Sequence, residues 1–289
     1  MNFDRILFAV DLSEQSRQAA PFVKALAERF QSEVTLLHVL EPPPAWSGFP
    51  ETESWQTIEN ISQLRDSQRT ELQGFLPGAF AGLTVNRIMA EGDAAQQILS
   101  YARKQGASLI MMPTHGRGPF RGLLLGSVTA KVLHDAECPV WTGVHRPEWT
   151  TAAPEKWRRI LCAVDAVPHD VRTVKWAMEL AKIEGAEVRL VHALAGVPPD
   201  CMSYGGETLR DGLFQAAAGQ LEKLQQEAGT ELEATIEEGS PANVVQKMAR
   251  DWESDLVVIG RGAIQKPLGR LRSNAYAIIR ESPCPVISV

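Results

Sequence analysis

The chain is predicted to be an α/β protein of two tandem doubly wound domains. Each domain is a five-stranded, mainly parallel sheet of order 3-2-1-4-5 with helices on both faces. Three observations predict this. Ile6-Leu7-Phe8-Ala9-Val10-Asp11 returns as Ile160-Leu161-Cys162-Ala163-Val164-Asp165, and Glu137-Cys138-Pro139-Val140 returns as Ser282-Pro283-Cys284-Pro285-Val286. Short continuous apolar runs, as expected of strands buried on both faces, alternate with stretches of helical periodicity. The 289 residues suit two domains of about 100–150 residues each, far longer than any solenoid unit.

The register of the repeat shows where the copies differ. Asp11 and Asp165, like His38 and His192, stand 154 residues apart; Gly92 and Gly239 stand 147 apart, and Cys138 and Cys284 stand 146 apart. The second copy is therefore shorter by seven residues in its middle and by one more near its last glycine-rich loop. Domains are expected at 1–146 and 157–289, joined by a short polar linker at 147–156 that has prolines at Pro147 and Pro154.

In the first copy, Ile6–Val10 reads as a strand. Ser13 is the expected cap of a helix carrying Ala19, Phe22, Val23, Leu26 and Ala27 at helical spacing. Val34–Val39 is the second strand, and Pro42-Pro43-Pro44 stops it. The excursion Pro42–Ser54 is expected to be a flap near the site. A helix over Trp55–Phe75, a strand at Val85–Met89, a helix over Ala94–Lys104 and a strand at Ser108–Met112 follow. Beyond a glycine-rich loop come a helix at Ser127–His134 and a fifth strand at Pro139–Val144. The second copy places strands at Ile160–Val164, Val188–His192, Ala234–Ile236, Leu256–Ile259 and Val286–Val289.

Composition excludes several classes. A net charge of −6 gives no positive field for nucleic acid. The local basic cluster Lys266, Arg270 and Arg272 is large enough for one anion at most. No run of about 20 apolar residues marks a membrane span, and no signal peptide opens the sequence, so a cytoplasmic protein is expected. The cysteines Cys138, Cys162, Cys201 and Cys284 match no zinc spacing and are expected to pack as small hydrophobes. No metal site is expected. His38 and His192 occupy equivalent strand positions, but in separate sheets, and are expected to be packed, hydrogen-bonded histidines. Trp46, Trp55 and Trp176 are expected to pack rather than stack on a ligand.

The loop Met112-Pro113-Thr114-His115-Gly116-Arg117-Gly118-Pro119-Phe120-Arg121-Gly122-Leu123-Leu124-Leu125-Gly126-Ser127-Val128-Thr129 leaves the fourth strand and enters a helix. Doubly wound sheets bind ligands at these carboxyl ends. Glycines bring backbone N–H groups close to an anion, a helix start adds partial positive charge, and Ser127 and Thr129 add hydroxyls. The result reads as a phosphate cradle; the alternative is a tight turn in which Ser127 merely caps the helix. No Gly-Lys-Ser/Thr closes the run, and position 121 is Arg where a dinucleotide loop needs its third glycine.

This pattern resembles the universal stress protein family, whose ATP-binding members carry Gly, two residues, Gly, nine residues, then Gly-Ser or Gly-Thr. Gly116, Arg117–Leu125 and Gly126-Ser127 match; Pro113 replaces the first glycine and has no N–H to offer. Ala-Val-Asp closing the first strand and Cys-Pro-Val entering the last extend the resemblance over nearly the whole chain. It implies that Asp11, with Ala9 and Val10, faces the adenosine and that Val39 lies against the adenine. It further implies that Met112 and Pro113 flank the ribose, and that His115, Gly116, Gly126, Ser127 and Val128 line the phosphates. The ligand implied is ATP, with or without magnesium. Asp11 is the member of that set able to accept from ribose or adenine donors; its other reading is a turn aspartate serving the next helix.

In the second loop, Ile259-Gly260-Arg261-Gly262 leaves one residue between the glycines, and Arg272 stands where the first copy has Gly126. The first domain is therefore expected to hold the nucleotide and the second to be mainly a partner. The resemblance also implies internal pairing of the two domains through their last strands, and a homodimer is a further expectation. Three functions compete: a nucleotide-binding stress protein, a scaffold that binds none, and an enzyme of related architecture. The third is disfavoured, because Ser-Gly-Gly-x-Asp and His-x-Gly-His are missing and no general base is marked.

Overall fold

The computed structural model describes residues 2–41, 55–116, 125–145, 153–195, 206–261 and 270–289, with backbone alone at 55–60, 206–208 and 270–273. The expected flap at Pro42–Ser54 lies outside the described residues. So do loop residues Arg117–Leu124 and Gly262–Gly269, the linker at 147–152, Trp46, Cys201 and Lys266, and the side chains of Trp55, Arg270 and Arg272.

The described elements run β1 (Arg5–Ala9), α1 (Glu14–Phe30), β2 (Glu33–Leu40), α2 (Trp55–Gly74), β3 (Val85–Glu91), α3 (Ala94–Gln105), β4 (Leu109–Met112), α4 (Ser127–Asp135) and β5 (Val140–Thr142). The repeat follows as β6 (Arg159–Ala163), α5 (Asp170–Glu184), β7 (Glu187–Leu194), α6 (Gly206–Ala228), β8 (Glu233–Glu238), α7 (Pro241–Asp251), β9 (Leu256–Ile259), α8 (Arg270–Glu281) and β10 (Val286–Ser288). The chain divides into two compact units, Asn2–Val140 and Trp141–Val289.

In the first half the strand order is β3-β2-β1-β4-β5, and in the second β8-β7-β6-β9-β10. β1 lies parallel to β2 and β4, with Ile6 opposite both Val34 and Leu109. In the second half Ile160 stands opposite Val188 and Leu256 in the same way. The central strands are apolar because both faces are covered: Phe8, Val34, Leu36, Ile110 and Met111 are fully buried, as are Leu161, Cys162, Leu190 and Val258. α3 packs against α4, α5 against α6 and α7 against α8.

The order matters for the site. β1 is flanked by β2 on one side and β4 on the other, so the chain reverses direction across the sheet there and opens a crevice at the carboxyl ends. Some strand ends differ from the periodicity. β2 reaches Leu40 and β3 reaches Glu91 because the two pair in register from Val34 opposite Val85 to Leu40 opposite Glu91. β5 is only Val140–Thr142.

Candidate functional site

A cavity of about 760 Å³ opens at the carboxyl ends of β1, β2 and β4 in the first unit. Every residue that the sequence reading assigns to the nucleotide site lines it. Ala9, Val10 and Asp11 come from the end of β1, Val39 from β2, and Met112, Pro113, His115 and Gly116 from the exit of β4. Gly126, Ser127, Val128 and Thr129 come from the start of α4. Leu37, Leu64 and Ile98 add apolar wall. Size, apolar lining and a few convergent polar groups are the usual properties of a small-molecule site.

Asp11 is set by a strained turn. Leu12 has φ 62°, and its counterpart Ala166 has φ 57°, a conformation unfavourable for residues with side chains and held only where the surroundings fix it. The turn lets Asp11 Oδ1 accept from Ser13 N at 3.1 Å, from the Ser13 hydroxyl, and from Ser16 Oγ at 2.8 Å. Ser13 is the N-cap of α1, as the sequence predicts, and its Oγ accepts from Ser16 N at 3.3 Å. One carboxylate oxygen thus organises the helix entry. The other, Oδ2, is buried and has no hydrogen-bond partner among the described residues. A buried acceptor without a donor is costly unless a ligand or water supplies one.

The opposite wall is the start of α4. Gly126, not Ser127, is the N-cap, and it makes no side-chain capping bond. The reading of Ser127 as a mere helix cap is therefore overturned: Ser127 is the first helical residue and its side chain is exposed. The first-turn N–H groups of a helix have no intrahelical acceptors and suit an anion. Gly126 is needed for close approach. A Cβ there would stand 3.3 Å from His115 Cα and from Thr114 O, while Gly126 N donates to Thr114 O at 2.9 Å. Thr129 departs from expectation: its hydroxyl donates inward to Pro113 O at 3.1 Å, so it fixes the loop and does not offer its proton to the cavity.

Two polar residues on the wall, Gln68 and Glu41, escaped the sequence reading, and a third, His38, is the packed, hydrogen-bonded histidine expected. His38 Nδ1 lies 2.9 Å from the Val10 carbonyl oxygen, and its Nε2 lies 3.0 Å from Gln68 Oε1. Because a carbonyl can only accept, Nδ1 carries the proton. His192 repeats the first bond with Val164 O at 2.9 Å, so both histidines are hydrogen-bonded packing residues. Gln68 and Glu41 also line the cavity, but α2 and the strand edge carry no motif that could have marked them.

The second unit presents a cleft of only about 40 Å³ at the same place. One substitution beneath it is readable from the 154-residue offset: Asp170 replaces Ser16. Where Ser16 Oγ accepts from Asp11 N at 3.3 Å, Asp170 Oδ2 accepts from Asp165 N at 2.9 Å and from Val167 N at 3.2 Å. Asp170 is 3% exposed. Its carboxyl is pushed above the usual range, chiefly by burial, with the neighbouring Asp165 adding repulsion. Asp165 is exposed rather than turned inward like Asp11. Thr173 and Asp170 also press on β9's exit, where a Cβ at Gly260 would lie 2.7 Å from Thr173 Oγ1.

Cys162 and Cys284 are buried, and burial raises both thiols, Cys284 to about 12. Trp176 is half-buried in α5. Among the described residues no cluster of His, Cys, Asp and Glu could hold a metal ion, and no helix is long and apolar enough to cross a membrane.

Comparison with known proteins places this architecture. The Universal stress protein family profile matches the chain twice, over residues 2–142 and 156–289. Universal stress protein MJ0531 of Methanocaldococcus jannaschii is 32% identical over 139 residues, covering 48% of this chain and 80% of that one. A universal stress protein of Mycolicibacterium smegmatis is 24% identical over 294 residues, covering 98% of this chain and 96% of that one. The crystal structure of a universal stress protein from Archaeoglobus fulgidus shares the fold over 99% of this chain and 96% of that one, with a TM-score of 0.66 and 21% identity. The chain belongs to the universal stress protein family, as two family domains in tandem.

Proposed function

We propose that the first unit binds an adenine nucleotide, ATP with or without magnesium, and that occupancy sets a conformation or a choice of partner in the stress response. One observation carries this reading. A buried, unpartnered Asp11 Oδ2 and an uncapped α4 N-terminus face one cavity of about 760 Å³. The first suits ribose or adenine donors, the second suits phosphates. Magnesium would be held mainly by phosphate oxygens and water, with the Ser127 hydroxyl as a protein oxygen beside them. The second unit, with Asp170 in its cleft, serves mainly as a partner. The chain is not a dedicated enzyme in this reading. We also propose that the halves pair through Pro139–Val144 and Val286–Val289, and that whole chains dimerise.

A scaffold that binds no nucleotide is the second reading. It is favoured by Pro113, which lacks an N–H, and by the inward commitment of the Thr129 hydroxyl. The deciding experiment is to purify the full chain without added nucleotide, denature it and identify what is released by mass spectrometry. An adenine nucleotide supports the first reading. None released, followed by no binding at millimolar ATP, selects the scaffold.

A further inference from the structure

The first unit's cavity carries Asp11 and Glu41 on its wall and no lysine or arginine among its described lining residues. A helix terminus contributes only about half a positive charge, which is little for a chain of phosphates. α4 does carry a lysine one turn beyond Ser127, exposed beside the cavity's mouth. Lys131 follows Ser127 by four residues, so both share one face of the helix. Helical side chains tilt toward the N-terminus, and four residues span about 6 Å. From this position the Lys131 side chain can reach back toward the phosphate end of the cavity.

At rest it is held by acids at the mouth. Nζ lies 2.9 Å from Asp93 Oδ2, and Glu41 adds attraction. Asp93 is the N-cap of α3, with Oδ1 accepting from Gln96 N at 2.9 Å. The next residue, Ala94, lines the cavity and donates its N–H to Glu41 Oε1 at 3.0 Å. The repeat offsets put Ala195, Ser240 and Ala277 at the positions of Glu41, Asp93 and Lys131. All three charges are missing from the unit whose cleft is about 40 Å³. An exposed ion pair adds little to folding, so stability gives no reason for the pair to accompany the larger cavity.

We propose that Lys131 reads the outer phosphates: it leaves Asp93 for the β- or γ-phosphate of a nucleoside di- or triphosphate, and a monophosphate is too short to draw it away. This rests on the nucleotide reading above. The test is calorimetric titration of the full chain with ATP, ADP and AMP at one ionic strength, for the native protein, Lys131→Met and Asp93→Asn. Asn keeps the helix cap. Lys131→Met is expected to weaken ATP and ADP about tenfold while leaving AMP unchanged. Asp93→Asn, by removing the competing carboxylate, is expected to tighten ATP and ADP severalfold, again without effect on AMP. A merely structural ion pair would shift ATP and AMP alike and move both variants in the same direction; that outcome overturns the proposal. An unchanged ATP-to-AMP ratio in Lys131→Met defeats it while leaving the nucleotide reading intact, whereas a native chain that binds none of the three defeats both.

Discussion

A Cβ placed on Gly116 would collide with Oδ2 of Asp11. The loop leaving β4 therefore lies directly against the carboxylate that closes β1, and the oxygen it meets is the one with no hydrogen-bond partner among the described residues. Two segments about a hundred residues apart in sequence share one atom's surroundings, and what happens there can be probed from either side.

From the loop side, Gly116→Ala should push Asp11 aside or displace the loop. Nucleotide affinity is expected to fall at least tenfold, a change of about 1.4 kcal/mol, with a modest loss in thermal unfolding because Thr114 and His115 beside it are buried. Titration calorimetry and a melt on the same sample check both parts.

From the strand side, Asp11→Asn separates the carboxylate's two roles. Asn keeps an acceptor for Ser13 and Ser16 but places an N–H donor where Oδ2 stood, facing ligand donors. Binding should weaken by about 1–3 kcal/mol, the cost of an unmet buried polar group. Asp11→Ala should lose binding and also about 1 kcal/mol of stability, since the turn into α1 loses its acceptor. Native binding by Asp11→Asn would show that the turn is the whole role of Asp11.

Gly126→Arg copies the second loop into the first. The side chain has to start 3.3 Å from His115 Cα and Thr114 O, at a residue that lines the cavity. ATP binding is expected to vanish in equilibrium dialysis, while Gly126→Ala should retain a weakened fraction.

The buried thiols predict an alkaline instability. Cys284 is pushed up to about 12 and Cys162 is raised by the same desolvation, whereas the unfolded chain ionises near 9.0. Between these values the unfolded state binds fewer protons, so stability falls as pH rises, by up to about 1.4 kcal/mol per pH unit for each thiol. Below pH about 9 this contribution is fully present. Urea midpoints from pH 8 to 11 should decline more steeply for the native chain than for Cys162→Ala/Cys284→Ala.

Much of this was legible because the chain repeats itself. The apolar run Ile6–Val10 and its copy Ile160–Val164 mark central strands, since a strand buried on both faces has no polar positions. Ser13 announces the start of α1 because capping chemistry is local. The glycine loop and Asp11 pointed to a single cavity because doubly wound sheets gather ligands at one end. What stayed hidden was tertiary. The Ser16-to-Asp170 exchange lies within the aligned repeat, yet only the hydrogen bonds to Asp11 N and Asp165 N show that it sits under the site. Glu41 and Gln68 reach the cavity from a strand edge and a helix with no motif. The Thr129 hydroxyl reads from sequence as a phosphate contact, and the structure shows that it donates to Pro113 O.

The central claim is that one domain of the pair carries the nucleotide. Hydrogen exchange of the full chain with and without saturating ATP tests it most directly, because it reports each unit separately. The account predicts slowed exchange around Asp11 and across Pro113–Ala130, with no change across Gly260–Ile278. Equal protection of both segments, or of neither, would contradict it.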